Sequence, residues 1–169
     1  MDDIQRFTAV TQEMMAWYAD CRRRVDHFLK VWAFARQIGL AEGLDAETQY
    51  ILEVTAVMHD IGIKPAEEQY HSSAGRYQEL LGPGAARPLL EKYGFSPERT
   101  DRICFLISHH HTYDNIDAAD WQILVEADFL VNAYEEPFSG EAIARFRDRV
   151  FKTAAGIKCL DTLYSGEVR

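Results

Sequence analysis

No apolar run in this chain is long enough to span a bilayer. Its first residues, Met1-Asp2-Asp3-Ile4-Gln5-Arg6, are acidic where a secretory leader would set positive charge ahead of an apolar stretch, so no signal peptide is expected. Cysteine is scarce: Cys21, Cys104 and Cys159 are odd in number and share no metal-type spacing, which excludes a disulfide framework and reads as reduced thiols in a cytoplasmic protein. Positive charge is short as well. The 18 Lys and Arg against 27 Asp and Glu leave a net charge of −9, which argues against non-specific binding of nucleic acid or of an anionic membrane. Strand signals are almost missing, with no Asn-Gly or Asp-Gly turn between alternating runs. Low-complexity segments, internal repeats and linkers are missing too.

What remains is ordinary globular composition. Of the 169 residues, 47% are apolar and 27% charged, enough for one domain with a real core. Helical signals recur along it. A first amphipathic helix is expected over residues 3–18, with Ile4, Phe7, Met14, Met15 and Tyr18 inward, and a second over 20–38, ending at Gly39. Asp45 looks like the N-cap of a third, stopped by Gly62 and Pro65. After a loop holding Pro65, a short helix starts at Ser72 or Ser73 and is broken by Gly82-Pro83-Gly84; residues 85–93 resume it and stop at Gly94. Ser96-Pro97-Glu98 is a strong start signal for a helix to about His109. Residues 111–118 read as loop and 118–134 as a helix closed by Pro137, followed by 139–154 and a shorter piece over 157–164. The expected fold is all-α, a compact single-domain helical bundle over 1–169, with its core motifs in about 20–135 and the C-terminal helices 139–165 packed on it.

The informative residues are polar ones on apolar faces. His59 and Asp60 end the greasy run Ile51, Leu52, Val54, Thr55, Ala56, Val57, Met58. A bare buried carboxylate costs on the order of several kcal/mol unless it is paired or binds a cation, and the carbonyl end of a helix repels it and attracts a cation. A metal ion would resolve both. His27 shares a face with Val31, Phe34 and Ile38, and taken alone it reads as a core histidine bonded to a carbonyl. Asp128 lies in the stripe Trp121, Leu124, Val131, where an acid points to function, although an arginine partner or exposure would also explain it. His110 continues the stripe Ile103, Leu106, Ile107 and is expected to face the site; His109 and His111 stay open between ligand, substrate contact and bystander. His71 reads as an exposed loop histidine. Arg23 and Arg24, one turn before His27, and Lys64, just after the doublet, could reach an anion held there. His27, His59, Asp60 and Asp128 together give two imidazoles and two carboxylates, a set that suits Mn, Fe, Co, Ni or Zn better than Ca and leaves positions open for water.

This order of residues resembles the HD-domain metal-dependent phosphohydrolase superfamily: a His on one helix (His27, in Arg24-Val25-Asp26-His27-Phe28), a His-Asp doublet on the next (His59-Asp60), and an Asp on a later one (Asp128, in Val125-Glu126-Ala127-Asp128-Phe129). The resemblance covers roughly residues 20–135 and implies an all-α fold and hydrolysis of phosphate esters, commonly of nucleotides. Branches holding two metals add histidines. Where one of these would precede a glycine, this chain has Leu81 before Gly82; where another would end a helix, it has His110; the lysine expected after the doublet falls at Ile63, with Lys64 next.

The sequence therefore leads to a metal-dependent hydrolase of a small phosphate ester, with no nucleic-acid or membrane partner and an oligomeric state left open. His27, His59, Asp60 and Asp128 would hold the metal, with Asp60 also in the catalytic group. His110 or a neighbour would orient substrate or shuttle a proton, and Arg23, Arg24 or Lys64 would bind phosphate. One tightly held ion is expected and a second weak or absent, because Leu81 cannot coordinate; His71, Glu79, His109, His110 and His111 are the residues left to contact a second ion or substrate. Two other classes stand beside this one: a di-iron oxygenase of the same fold, and a metal-stabilised binding or regulatory module without turnover.

Overall fold

The computed structural model describes residues 1–166. These form nine α-helices and one 3-10 turn: α1 (Asp3–Trp17), α2 (Arg22–Ala41), α3 (Ala46–Met58), the turn His59–Gly62, α4 (Ile63–Tyr70), α5 (Gly75–Lys92), α6 (Pro97–Ile107), α7 (Ala119–Glu135), α8 (Gly140–Val150) and α9 (Ala154–Tyr164). The architecture is the expected all-α, single-domain bundle, with no strand among the described residues.

Local chemistry explains most boundaries. Asp45 caps α3 by accepting from the amides of Glu47 and Thr48, and Ser96 caps α6 from the position before Pro97. Gly94 takes φ +71 just after α5, the left-handed stop its sequence promised. Helices α2, α3 and α7 form the centre. On one side Val31, Ile38, Leu124, Phe129, Phe151 and Leu160 make a core with α8 and α9. On the other, Met14, Phe28, Val57, Leu90 and Ile103 make one with α1, α5 and α6.

Five expectations give way to tertiary contacts. Ile4 and Met15 of α1 face solvent, and Val10 takes the inner face with Met14 and Tyr18. Helix α2 runs through Gly39, where a Cβ would collide with the Gln49 side chain, so that glycine serves close packing of α2 on α3 rather than a stop. Pro65 lies in the first turn of α4, where a missing amide costs little, and α5 passes unbroken through Pro83 and Pro88. Within α5, Gly82 packs against Ile107 too closely for a side chain. The break between the last two helices, expected after residue 154, falls earlier, at residues 151–153. There the fully buried Glu126 accepts from the amides of Lys152 (2.7 Å) and Thr153 (3.0 Å) and from the Thr153 hydroxyl, so α8 ends and Thr153 caps α9.

Candidate metal centre

The His-Asp doublet lies in the 3-10 turn that joins α3 to α4. Gly62, two residues on, backs onto the Gln78 carbonyl of α5 so closely that a Cβ would strike it. This contact presses the turn against α5 and aims His59 and Asp60 inward. The His59 ring is fully buried and its Nδ1 donates to the Ala56 carbonyl at 2.8 Å, which leaves Nε2 free to face the site. His110, in the turn after α6, repeats the arrangement: it is fully buried, Nδ1 donates to the Ile107 carbonyl at 2.7 Å, and Nε2 has no hydrogen-bond partner among the described residues. A buried nitrogen lone pair without a donor is costly, and an electron-pair acceptor would satisfy it.

Helices α2 and α7 complete the cluster. His27 Nε2 stands 3.2 Å from Asp128 Oδ1, 3.3 Å from His59 Nε2 and 3.4 Å from Asp60 Oδ2. His59 Nε2 lies 3.4 Å from Asp128 Oδ1 and 3.5 Å from Asp60 Oδ1. Donors bound to one transition-metal ion at about 2.1 Å are about 3.0–3.4 Å apart, so these separations approximate the edges of a coordination polyhedron. The residues fit a divalent ion by geometry and by donor type. His27, His59 and Asp60 bring one donor atom each close together, and Asp128 joins them through both imidazoles; a second group, Asp60, His110 and His111, shares Asp60 with the first.

The electrostatics follow from burying both signs together. Burial pushes the Asp60 and Asp128 carboxyls up, but the imidazoles beside them win and hold both well below the usual carboxylate range. Burial pushes His27 down, yet the hydrogen bond to Asp128, the charges of Asp60 and Asp128 and the hydrogen bond to Glu135 raise it to about 10. His59 also moves upward: burial and the neighbouring His27 oppose the shift, and the charges of Asp60 and Asp128 with the Asp128 hydrogen bond outweigh them. His111 goes the other way, to about 4, because burial and the neighbouring His110 both disfavour its charged form.

Above the cluster opens a cleft of about 420 Å³ lined by Arg23, Arg24, His27, Asp60, His111 and Asp128, together with Gln78, Asn132 and Glu135. His59 and His110 lie beneath its floor. Arg23 makes no ion pair among the described residues, while Arg24 is committed to Glu67 and to the face of Tyr18. The remaining candidates are placed elsewhere. Lys64 turns away from the cleft, donating to the Trp17 carbonyl at 3.2 Å. His71 is exposed and terminates α4 with φ 52. His109 stacks on Phe105 and meets Trp121 edge-on, so it serves packing. Glu79 accepts from the His111 amide and the Thr112 hydroxyl, and supports the histidine turn instead of facing the cleft. On α5 the residue beside His111 is Gln78, with Oε1 3.2 Å from His111 Nε2; Leu81 is not among the cleft-lining residues.

Sequence reasoning missed Gln78, Asn132, Glu135 and Tyr18. The helical period could have found two of them, since Asn132 and Glu135 lie four and seven residues after Asp128, on its face of α7.

An all-α bundle with a buried His and Asp cluster able to hold a divalent ion is the class that fold and site define. The chain matches the HD domain family over residues 24–147, most of its length, and belongs to that family. Its members bind divalent metals and are generally phosphohydrolases. No curated protein and no solved structure matched the chain.

Proposed function

We propose that this protein is a metal-dependent hydrolase of phosphate esters, acting on a nucleotide or a related small phosphorylated metabolite in the cytoplasm. The observation that carries the proposal is the set of 3.2–3.5 Å approaches of the His27 and His59 Nε2 atoms to each other and to Asp60 and Asp128, at and just beneath the floor of an open cleft, with two carboxylates to balance one divalent ion. When bound, the ion would supply positive charge that activates water for attack and offsets charge developing on the phosphoryl oxygens. Those four side chains would hold it. Arg23, unpaired at the cleft wall, would take a phosphoryl oxygen, and His110 Nε2 would orient water or carry a proton. His111, held neutral by burial, would present an uncharged imidazole to the substrate.

One tightly held ion per chain is proposed. A second would share Asp60, depend on His110 and His111, and compete with Gln78 for His111. That shared carboxylate is also the observation favouring the second reading, a di-iron oxygenase. Metal analysis with a panel of nucleotides and other phosphate esters, assayed with Mn, Co, Ni and Zn, separates the two. Phosphate release with one ion per chain supports hydrolysis, whereas two irons and no phosphate release would reject it.

A further inference from the structure

The Nδ1 atoms of His59 and His110 are held by neutral backbone carbonyls. His27 differs: its Nδ1 faces a carboxylate, Glu135 Oε2 at 2.8 Å, and that carboxylate is only 11% exposed. The other oxygen, Oε1, receives Lys30 Nζ at 3.1 Å. Lys30 stands three residues after His27 on α2, so it and the imidazole share one face and grip the two oxygens of a single carboxylate. On α7, Glu135 follows Asp128 by seven residues and so returns to its face. One helix thus provides both Asp128 for the His27 Nε2 side and Glu135 for the Nδ1 side.

We propose that Glu135 is a positioning residue for the metal centre, setting the tautomer, orientation and donor strength of His27. A carboxylate accepting from Nδ1–H fixes the lone pair on Nε2, where the ion would bind, and makes the imidazole more electron-rich than a carbonyl can. Lys30 holds the other oxygen of this carboxylate, at the cleft wall, so that Oε2 stays turned to His27. The inference rests on the metal-centre reading, but it needs no particular substrate. An ion pair merely tying α2 to α7 would predict a loss of stability without any change at the metal.

The test uses the whole chain as Glu135→Gln and Glu135→Leu. Gln keeps the shape and an acceptor but loses the charge; Leu loses both. Dissociation constants for Zn and Co, measured by competition with a chromophoric chelator, should rise roughly tenfold to a hundredfold, more for Leu than for Gln. The visible spectrum of the Co-loaded protein should shift in both. In zinc-loaded wild type, NMR should find a downfield Nδ1 proton on His27, displaced in the Gln variant. Variants with a lower melting temperature but unchanged metal affinity and Co spectrum overturn the inference alone. Should neither variant fold, the wild-type NMR still decides, since no protected Nδ1 proton on His27 also overturns it. Wild type that takes up no metal overturns the metal centre and this inference together.

Discussion

Tyr18 donates its hydroxyl to the main-chain carbonyl of Asp60 at 2.6 Å. The tyrosine is almost fully buried, comes from the end of α1 and lies outside the family match at residues 24–147. It ties the doublet's backbone to an element that supplies no ligand. Tyr18→Phe keeps the ring but leaves that carbonyl unpartnered, at a cost of about 1–3 kcal/mol. A lower melting temperature should come with weaker metal retention. Loss of neither, by calorimetry and chelator titration, would reject the tie.

Protein purified without a tag should contain a transition metal, and Asp128→Ala should abolish its retention. Asp128 Oδ1 is within 3.4 Å of both His27 and His59, so its loss removes a donor and unbalances the remaining charge. Far-ultraviolet circular dichroism should change little, because the helix face around it is held by Trp121, Leu124 and Val131. A variant that keeps metal at wild-type affinity shows that Asp128 is structural. A wild type that is metal-free, with a melting temperature indifferent to Mn, Co, Ni and Zn, removes the metal centre.

The pH dependence of the chelated protein has a definite sign. His27 sits at about 10 in the fold against an ordinary 6.5. Its contribution is complete below about pH 6.5 and is lost as pH rises towards 10. Asp60 and Asp128 are depressed, so their contribution is present above the ordinary carboxylate range and lost as pH falls through their folded values. The melting temperature in chelator should therefore fall from pH 6.5 to 10. Added metal competes with protons for the imidazoles, so its stabilising effect should grow over the same interval. Differential scanning fluorimetry across that range checks both, and a flat chelated profile contradicts the charge assignment.

Gln78→His should raise occupancy of the second ion position, because Gln78 stands against His111 and imidazole is a good ligand for these metals. Leu81→His should not, since Leu81 is outside the cleft lining. Metal content per chain distinguishes them. Two fully occupied ions in the unmodified protein would move the assignment towards two-metal chemistry.

Much of this was legible in the residues. His27, Asp128 and His110 each lay on an apolar stripe, and each proved buried at the centre, because a helix of period 3.6 commits a whole face to the core at once. The positions beyond the stripes were less so. Lys64 and His71 are near the doublet in the chain but are carried off by α4, a helix that stands where Pro65 alone reads as loop. Leu81 and Gln78 differ by three residues on α5, and only the packing of that helix against Gly62 selects Gln78 as the one presented to His111.

By itself the sequence determined the all-α class, the caps at Asp45 and Ser96, the buried His and Asp set and the family order they follow, since all of these depend on local hydrogen bonding and on the periodic separation of apolar from polar side chains. Only the tertiary structure decided which glycines are stops and which are close approaches, and that α5 continues through its prolines. It also decided where the C-terminal helices divide, beside Glu126, and that Glu135 and Tyr18 brace His27 and Asp60 from distant helices. Those outcomes depend on which surfaces meet across the core, and a contact between residues 27 and 135 or 18 and 60 leaves no local periodic signature for the chain to display.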